Sequence, residues 1–132
     1  MELDRYLYRW KEFDADCEKI AQWAKDKNFK NVYGIPRGGL IVAVKISHLL
    51  DIPMVFEKKD ITDGTLVVDD IVDNGDTLLK FKGLMGVQSF VTASLYLGQE
   101  SLVQPDFFVK MKDRWVVFPW ETHQSSRYDG TF

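Results

Sequence analysis

Residues 66–77 read LVVDDIVDNGDT, and this stretch limits what the chain can become more than any other. The β-branched, apolar run Leu66-Val67-Val68 is the pattern of a buried strand. It meets Asp69, Asp70, Asp73 and Asp76, interleaved with Gly75 and Thr77. Gly75 lets backbone approach a ligand. Asp76 and Thr77 open a helix, whose unbonded N–H groups and dipole favour an anion of monophosphate size. The aspartates need different partners, because an ionised carboxylate only accepts hydrogen bonds. A sugar diol, a Mg²⁺ ion and a cation that develops during reaction all meet that need. A ribose 5-phosphate whose anomeric carbon becomes an oxocarbenium ion offers all three.

Other readings of the stretch leave more unexplained. As a calcium loop counted from Asp70, with Gly75 sixth, the third position is Val72 and the twelfth Phe81, neither a ligand. It is not a Walker A loop, since the Gly-Lys-Ser/Thr ending is missing. A phospho-accepting aspartate at a strand end leaves Gly75 and Thr77 without a role. A solvated helix cap accounts for acids at a helix start but not for the coincidence of strand, acid pair, Gly and Thr.

The 132 residues set the size of one domain, and an apolar share of 45% supplies a core. A net charge of -3 argues against a nucleic-acid partner, which demands a basic face. The single cysteine, Cys17, has no internal disulfide partner and falls in a helical pattern, so it reads as a buried, inert thiol of a reducing compartment. The sequence has neither a signal-peptide pattern nor an apolar run of membrane-spanning length, so a cytoplasmic location and no membrane partner are expected.

Phe13, Cys17, Ile20, Ala21 and Ala24 recur at helical spacing and predict a helix over residues 14 to about 27. Strands are predicted at 31–35, 52–56, 66–68, 89–97, 106–111 and 115–118, with helices at 40–50 and 76–84. The helix at 40–50 is apolar nearly all round and is expected to be buried. This order predicts an α/β fold, a single domain over residues 1–132 with a mainly parallel twisted sheet flanked by helices. Ligands of such sheets bind beyond the carboxyl ends of the strands. Two strands end there in unusual loops, the acidic one and Gly-Ile-Pro-Arg-Gly-Gly at 34–39. Glycines in the latter expose backbone N–H groups, and Arg37 can hold a polyphosphate with two donors. Two anion loops on one crevice suit a ligand with phosphates at both ends.

These residues resemble the type I phosphoribosyltransferases. LVVDDIVDNGDTL resembles that family's signature for 5-phosphoribosyl-1-pyrophosphate (PRPP), and GIPRGGLIVAVKISHLL its pyrophosphate loop and following helix. DRWVVFPWE, residues 113–121, resembles the small C-terminal hood of microbial hypoxanthine/xanthine-guanine enzymes. The resemblance implies transfer of 5-phosphoribosyl from PRPP to a purine base, giving a nucleoside monophosphate and pyrophosphate. It implies that Asp69 and Asp70 hold the ribose hydroxyls and the Mg²⁺ shell, and that Asp73 exchanges a proton with the purine imidazole nitrogen. Asn74, Gly75, Asp76 and Thr77 form the 5′-phosphate loop, and Arg37 and Gly38 take pyrophosphate. Trp115 stacks on the base, the Val116 backbone reads its edge, and Glu121 joins Asp70 near the metal. Arg127 is a further candidate for pyrophosphate, with a solvated tail the simpler reading. A homo-oligomer is expected from the aromatic hood.

Three features depart from the family, one of them Asp76, at a phosphate-loop position that is often Gly or Lys. The family's long mobile lid, often with a Ser-Tyr pair, is replaced by residues 57–64, which read as a hairpin turn carrying Lys58 and Lys59. The lysine that 6-oxopurine enzymes place at the end of the strand before the hood is missing from SLYLGQES, residues 94–101, which leaves base preference open. The alternative to an enzyme is a non-catalytic PRPP- or nucleotide-binding module that kept the pocket and lost the lid.

Overall fold

A computed structural model of the chain describes residues 5–86, 89–122, 124 and 125. Its strands are β1 (Arg5–Leu7), β2 (Asn31–Gly34), β3 (Met54–Val55), β4 (Thr65–Val72), β5 (Val91–Leu97), β6 (Phe107–Met111) and β7 (Trp115–Val117). Its helices are α1 (Trp10–Ala24), α2 (Gly38–Leu50) and α3 (Asp76–Met85). Five strands form one sheet in the order β3-β2-β4-β5-β6, and every neighbouring pair is parallel. The fold is α/β in one domain, as the alternation of strands and helices predicts.

Side chains that alternate along the strands build a core on each face of the sheet. Val32, Leu66 and Val68 pack with Phe13, Cys17 and Ile20 of α1 and Val42, Ala43 and Ile46 of α2. Tyr33 and Val67 point the other way, to Leu78 and Phe81 of α3 and to Ile61. Phe81, Ile61, Ile20 and Ile46 are each fully buried. A side chain of this size contributes about 1.5–3 kcal/mol over leaving it in water.

The structure corrects several expectations. α1 begins at Trp10, one turn before residue 14, and ends at Ala24, because the apolar stripe marks the buried face and not the ends. α2 is buried only along Gly39, Val42, Ala43 and Ile46, while Leu40, Val44 and Leu49 are exposed. Residues 57–64 are not a hairpin turn. β3 and β4 both pair with β2, from opposite sides, so the chain must cross over to start β4 in parallel. The crossover holds a short 3-10 turn, Lys58–Asp60, and buries Ile61 on the α3 face. Strand β1 has no counterpart in the sequence reading. It pairs in parallel with β7, Arg5 opposite Trp115 and Leu7 opposite Val117, and the two strands form the hood.

An ionic network ties the hood to the body. Tyr8 Oη donates to Asp16 at 2.6 Å and Tyr6 Oη to Glu12 at 2.6 Å. Lys110 Nζ on β6 lies 2.7 Å from Glu12 and 3.0 Å from Asp16. Burial alone would lower the Lys110 pKa, but the hydrogen bonds to Glu12 and Asp16 prevail and raise it to about 12.

Burial also pushes the Cys17 thiol up from 9.0 to about 12, with the Asp16 carboxylate adding to it. Well below pH 9 the thiol is protonated in both states and stability does not depend on it. Above that, the unfolded chain releases this proton and the folded chain keeps it, so rising pH favours unfolding. Tyr96, raised to about 12 by burial, acts in the same direction from its ordinary value of 10.0. Thermal melts are expected to hold steady up to about pH 8 and fall through pH 9 and above, with Cys17→Ala delaying the fall. A melting temperature that stays flat well above pH 10 would count against this account.

Candidate active site

The switch in chain direction that makes a ligand crevice lies between β2 and β4. After β2 the chain enters α2 on one face of the sheet, and after β4 it enters α3 on the other. At the carboxyl ends of these strands lies a cleft of about 420 Å³. Arg37, Gly38, Asp69, Asp70, Asp73, Asn74, Gly75, Asp76, Thr77 and Glu121 all line it. The two anion loops therefore meet, as the order of the segments predicts.

The acid pair is strand, not loop. β4 runs on to Val72 because β5 stays beside it, Asp69 opposite Ser94 and Val72 opposite Leu97. On the other side β2 stops, its Gly34 paired with Val68. Side chains take over where that ladder ends. Asp69 Oδ1 accepts from the Asp70 N–H and Asp70 Oδ1 from the Ile71 N–H, each at 2.8 Å. These bonds fix both carboxylates on a rigid element, with Asp70 only 7% exposed. The start of α2 presses against them. A methyl on Gly38 would overlap the Asp70 carboxylate, so only glycine admits this approach. The Pro36–Arg37 peptide beside it is cis.

The phosphate-type loop follows β4. Gly75 sits at φ 94° before the first turn of α3, and the Asn74 side-chain oxygen accepts from the Asp76 N–H at 2.9 Å. This leaves the helix start facing the cleft. Asp76 is exposed on the cleft wall, and one turn further on Lys80 lines it too.

Lys112 escaped the sequence reading, although it contacts the central acid. Its Nζ lies 3.0 Å from both oxygens of Asp73 and 4.8 Å from the centre of the Trp115 ring. Its backbone is held at the end of β5: the Lys112 N–H donates to the Leu97 carbonyl at 2.9 Å, and Gln99 Nε2 donates to the Lys112 carbonyl at 2.9 Å. Trp115 and Val116 do not line the cleft itself; Trp115 is partly exposed and Val116 is buried in the core. Trp120 lines the cleft instead, stacked on Phe118 at 4.9 Å, its buried Nε1 without a hydrogen-bond partner among the described residues. Glu121 Oε1 accepts from the Phe118 N–H at 3.0 Å, which fixes the turn that carries it. Arg127 lies outside the described residues.

A parallel sheet with an acid pair, a glycine-led helix start and an arginine loop at one switch point is the arrangement of proteins that handle sugar phosphates. The chain belongs to the type I phosphoribosyltransferase family, and its relatives are small microbial purine phosphoribosyltransferases. It is 30% identical over 138 residues to a xanthine-guanine phosphoribosyltransferase of Desulfotalea psychrophila, covering 89% of this chain and 86% of that one. The corresponding protein of Chromohalobacter salexigens is 26% identical over 144 residues, 92% of this chain and 89% of the relative. A purine phosphoribosyltransferase from Pyrococcus horikoshii superposes with a TM-score of 0.79 at 28% identity, over 95% of this chain and 99% of that chain. The xanthine-guanine-hypoxanthine enzyme of Helicobacter pylori shares the fold, with a TM-score of 0.78 at 21% identity, over 88% of this chain and 91% of that one. No family model matches the chain. No described helix is long and apolar enough to cross a membrane.

Proposed function

We propose that the chain transfers the 5-phosphoribosyl group of PRPP to a purine base, releasing pyrophosphate and a nucleoside monophosphate. The observation that carries this reading is the single cleft onto which Arg37, the acids of β4 and the start of α3 all open. In this reading the backbone N–H groups of Asn74 to Thr77 take the 5′-phosphate, Asp69 and Asp70 take the ribose hydroxyls, and Arg37 with Gly38 takes pyrophosphate. The bond from the anomeric carbon to pyrophosphate breaks as a purine nitrogen forms its bond to that carbon. Asp73 accepts the proton displaced from the imidazole ring. The ring the cleft itself offers the base is Trp120, since Trp115 and Val116 do not line it.

The donor set also suits Mg²⁺. Among the described residues no three acids or imidazoles gather closely enough to hold an ion alone. Mg²⁺ typically takes one or two carboxylates and completes its octahedron with water and substrate phosphates. Asp70 and Glu121, on the same cleft, would hold it. Bound there, it would neutralise charge on the pyrophosphate leaving group.

A second reading is a binding module that holds PRPP or a nucleotide without turnover. It draws support from the crossover at 57–64, whose Ile61 is fixed in the core and unavailable to swing over the cleft. An enzyme with such an open site should be slow and should lose PRPP to water, because closure is what excludes water from the activated sugar. Pyrophosphate release from PRPP and Mg²⁺, measured with and without each common purine, separates the readings. Base-stimulated release above a measurable base-free rate is expected. Strictly base-dependent release would refute the leaky site, and no release alongside PRPP binding would favour the module. Titration calorimetry is expected to give tighter PRPP binding with Mg²⁺ than without. Absence of heat with PRPP, GMP and IMP would defeat both readings.

A further inference from the structure

Residues 98–106 join β5 to β6 and line no part of the cleft, yet they hold the loop that does. The Gly98 N–H donates to the Val72 carbonyl at 2.7 Å, and the Leu102 N–H to the Asn74 carbonyl at 3.0 Å. The connection is folded to make this reach. The Ser101 N–H donates to the Gly98 carbonyl at 3.2 Å, and Ser101 Oγ to the Val103 carbonyl at 2.5 Å. It presses on the phosphate-type loop at Gly75, where a methyl would come within 2.8 Å of Ser101 Oγ and 3.1 Å of the Leu102 nitrogen. One face of Gly75 is therefore packed against the connection, and the residue also opens on the cleft.

The planarity of the peptide bond turns this contact into an aim. In a trans peptide the C=O and the N–H point in opposite directions, and the bond between Asn74 and Gly75 is trans. Because the Asn74 carbonyl points at Leu102, the Gly75 N–H points away from the connection, towards the cleft. The next N–H, that of Asp76, already donates to the Asn74 side chain at 2.9 Å, whereas the Gly75 N–H has no partner among the described residues. We propose that Leu102 is a positioning residue of this site, whose backbone N–H aims the Gly75 N–H at the 5′-phosphate. This rests on the reading in which the loop takes the phosphate of PRPP. The Leu102 side chain is 76% exposed, so the main chain carries the role. Without that bond the peptide plane is free to turn and to show its carbonyl oxygen to the anion, which replaces an attraction by a repulsion. A donor fixed before the ligand arrives spends nothing on reorganisation.

The test sets Leu102→Pro, which removes the N–H, against Leu102→Ala, which keeps it. Each is titrated calorimetrically with ribose 5-phosphate and, separately, with pyrophosphate and Mg²⁺, which the Arg37 loop would bind away from the contact. Leu102→Pro is expected to bind ribose 5-phosphate about 10- to 100-fold more weakly, the usual contribution of one hydrogen bond to a charged group, with pyrophosphate binding little changed. Leu102→Ala should match the unchanged chain on both. In turnover, Leu102→Pro should raise KM for PRPP more than it lowers kcat. Equal weakening of both ligands, or none for ribose 5-phosphate, would overturn the proposal and leave the connection as a support of the fold. NMR of the unchanged, isotope-labelled chain needs no variant, so it decides even where proline unfolds the protein. Ribose 5-phosphate should move the Gly75 amide proton downfield while the Leu102 amide stays protected from exchange. A Gly75 amide that the ligand leaves unmoved overturns the proposal, whether or not the chain turns PRPP over. A Gly75 shift in a chain that releases no pyrophosphate with any purine upholds the aim of the loop and defeats only the transferase reading.

Discussion

Asp73→Asn is expected to lower kcat by about 10²–10⁴-fold, the usual contribution of a positioned general base, while PRPP affinity stays near that of the unchanged chain. The two effects separate because of where Asp73 sits. Asp69 and Asp70, the acids proposed to meet the ribose, lie on β4 and accept hydrogen bonds from the backbone N–H groups that follow them. Asp73 lies beyond the strand, at the loop, and its carboxylate is bound by Lys112. Asparagine keeps the shape and one acceptor for Lys112 but takes up no proton at neutral pH. Steady-state rates with saturating PRPP, alongside PRPP titration, make the comparison. Equal turnover by variant and unchanged chain would reduce Asp73 to a part of the loop.

Gly98→Ala is expected to damage both stability and rate, although residue 98 touches no proposed substrate. Gly98 donates its N–H to the Val72 carbonyl at 2.7 Å and lies directly under Asp73. A methyl there would overlap the Asp73 carbonyl oxygen, and it would come within 2.9 Å of Asp73 Oδ1. The obstacle is largely backbone, which cannot rotate aside as a side chain can. Overpacking of this kind typically costs about 1–3 kcal/mol, and displacing a reacting group by about 1 Å can cost roughly 10²-fold in rate. Gly83→Ala is the matched control. Its methyl meets nothing within 4 Å in the last turn of α3, so helix propensity should stabilise it by at most about 0.5–1 kcal/mol. Urea melts and rates for the two variants should diverge in sign. A Gly98→Ala chain as stable and active as the unchanged one would mean that the loop carrying Asp73 yields freely.

What could be read from the chain before its structure was whatever rests on local chemistry. The acid, glycine and threonine pattern at 66–77 needs only neighbours in sequence to be recognised, and so do the arginine loop and the strand–helix alternation. What could not be read depends on partners far away. β1 is three residues among charged and aromatic neighbours, and only its pairing with β7 makes it a strand. β4 continues through two aspartates because β5 lies beside it, whereas hydrophobic pattern ends a strand at the first charge. The crossover at 57–64 looks like a hairpin in one dimension, since nothing local says that β2 lies between β3 and β4. Lys112 sits in a polar junction, and its partner is 39 residues away. α2 has no apolar stripe to choose a face by, so its three exposed aliphatic residues follow only from where α1 and the sheet lie.

The hood has a consequence for how this protein is made. Its two strands are Arg5–Leu7 and Trp115–Val117, so the hood joins the first described residues to some of the last. A ribosome that has delivered β2, α2, β4 and α3 has delivered both anion loops, but not the strand that β1 needs. Until Lys110 emerges, the carboxylates of Glu12 and Asp16 lack their cation, and until Phe118 emerges, the ring of Tyr8 has only Tyr96 of its two edge-on partners. Contacts of such long sequence separation form late, because loop closure must come before they reward it. A nascent chain can therefore assemble the loops that follow β2 and β4 before the hood closes, and a chain that stalls in between leaves the hood's partners on β1 and α1 uncovered.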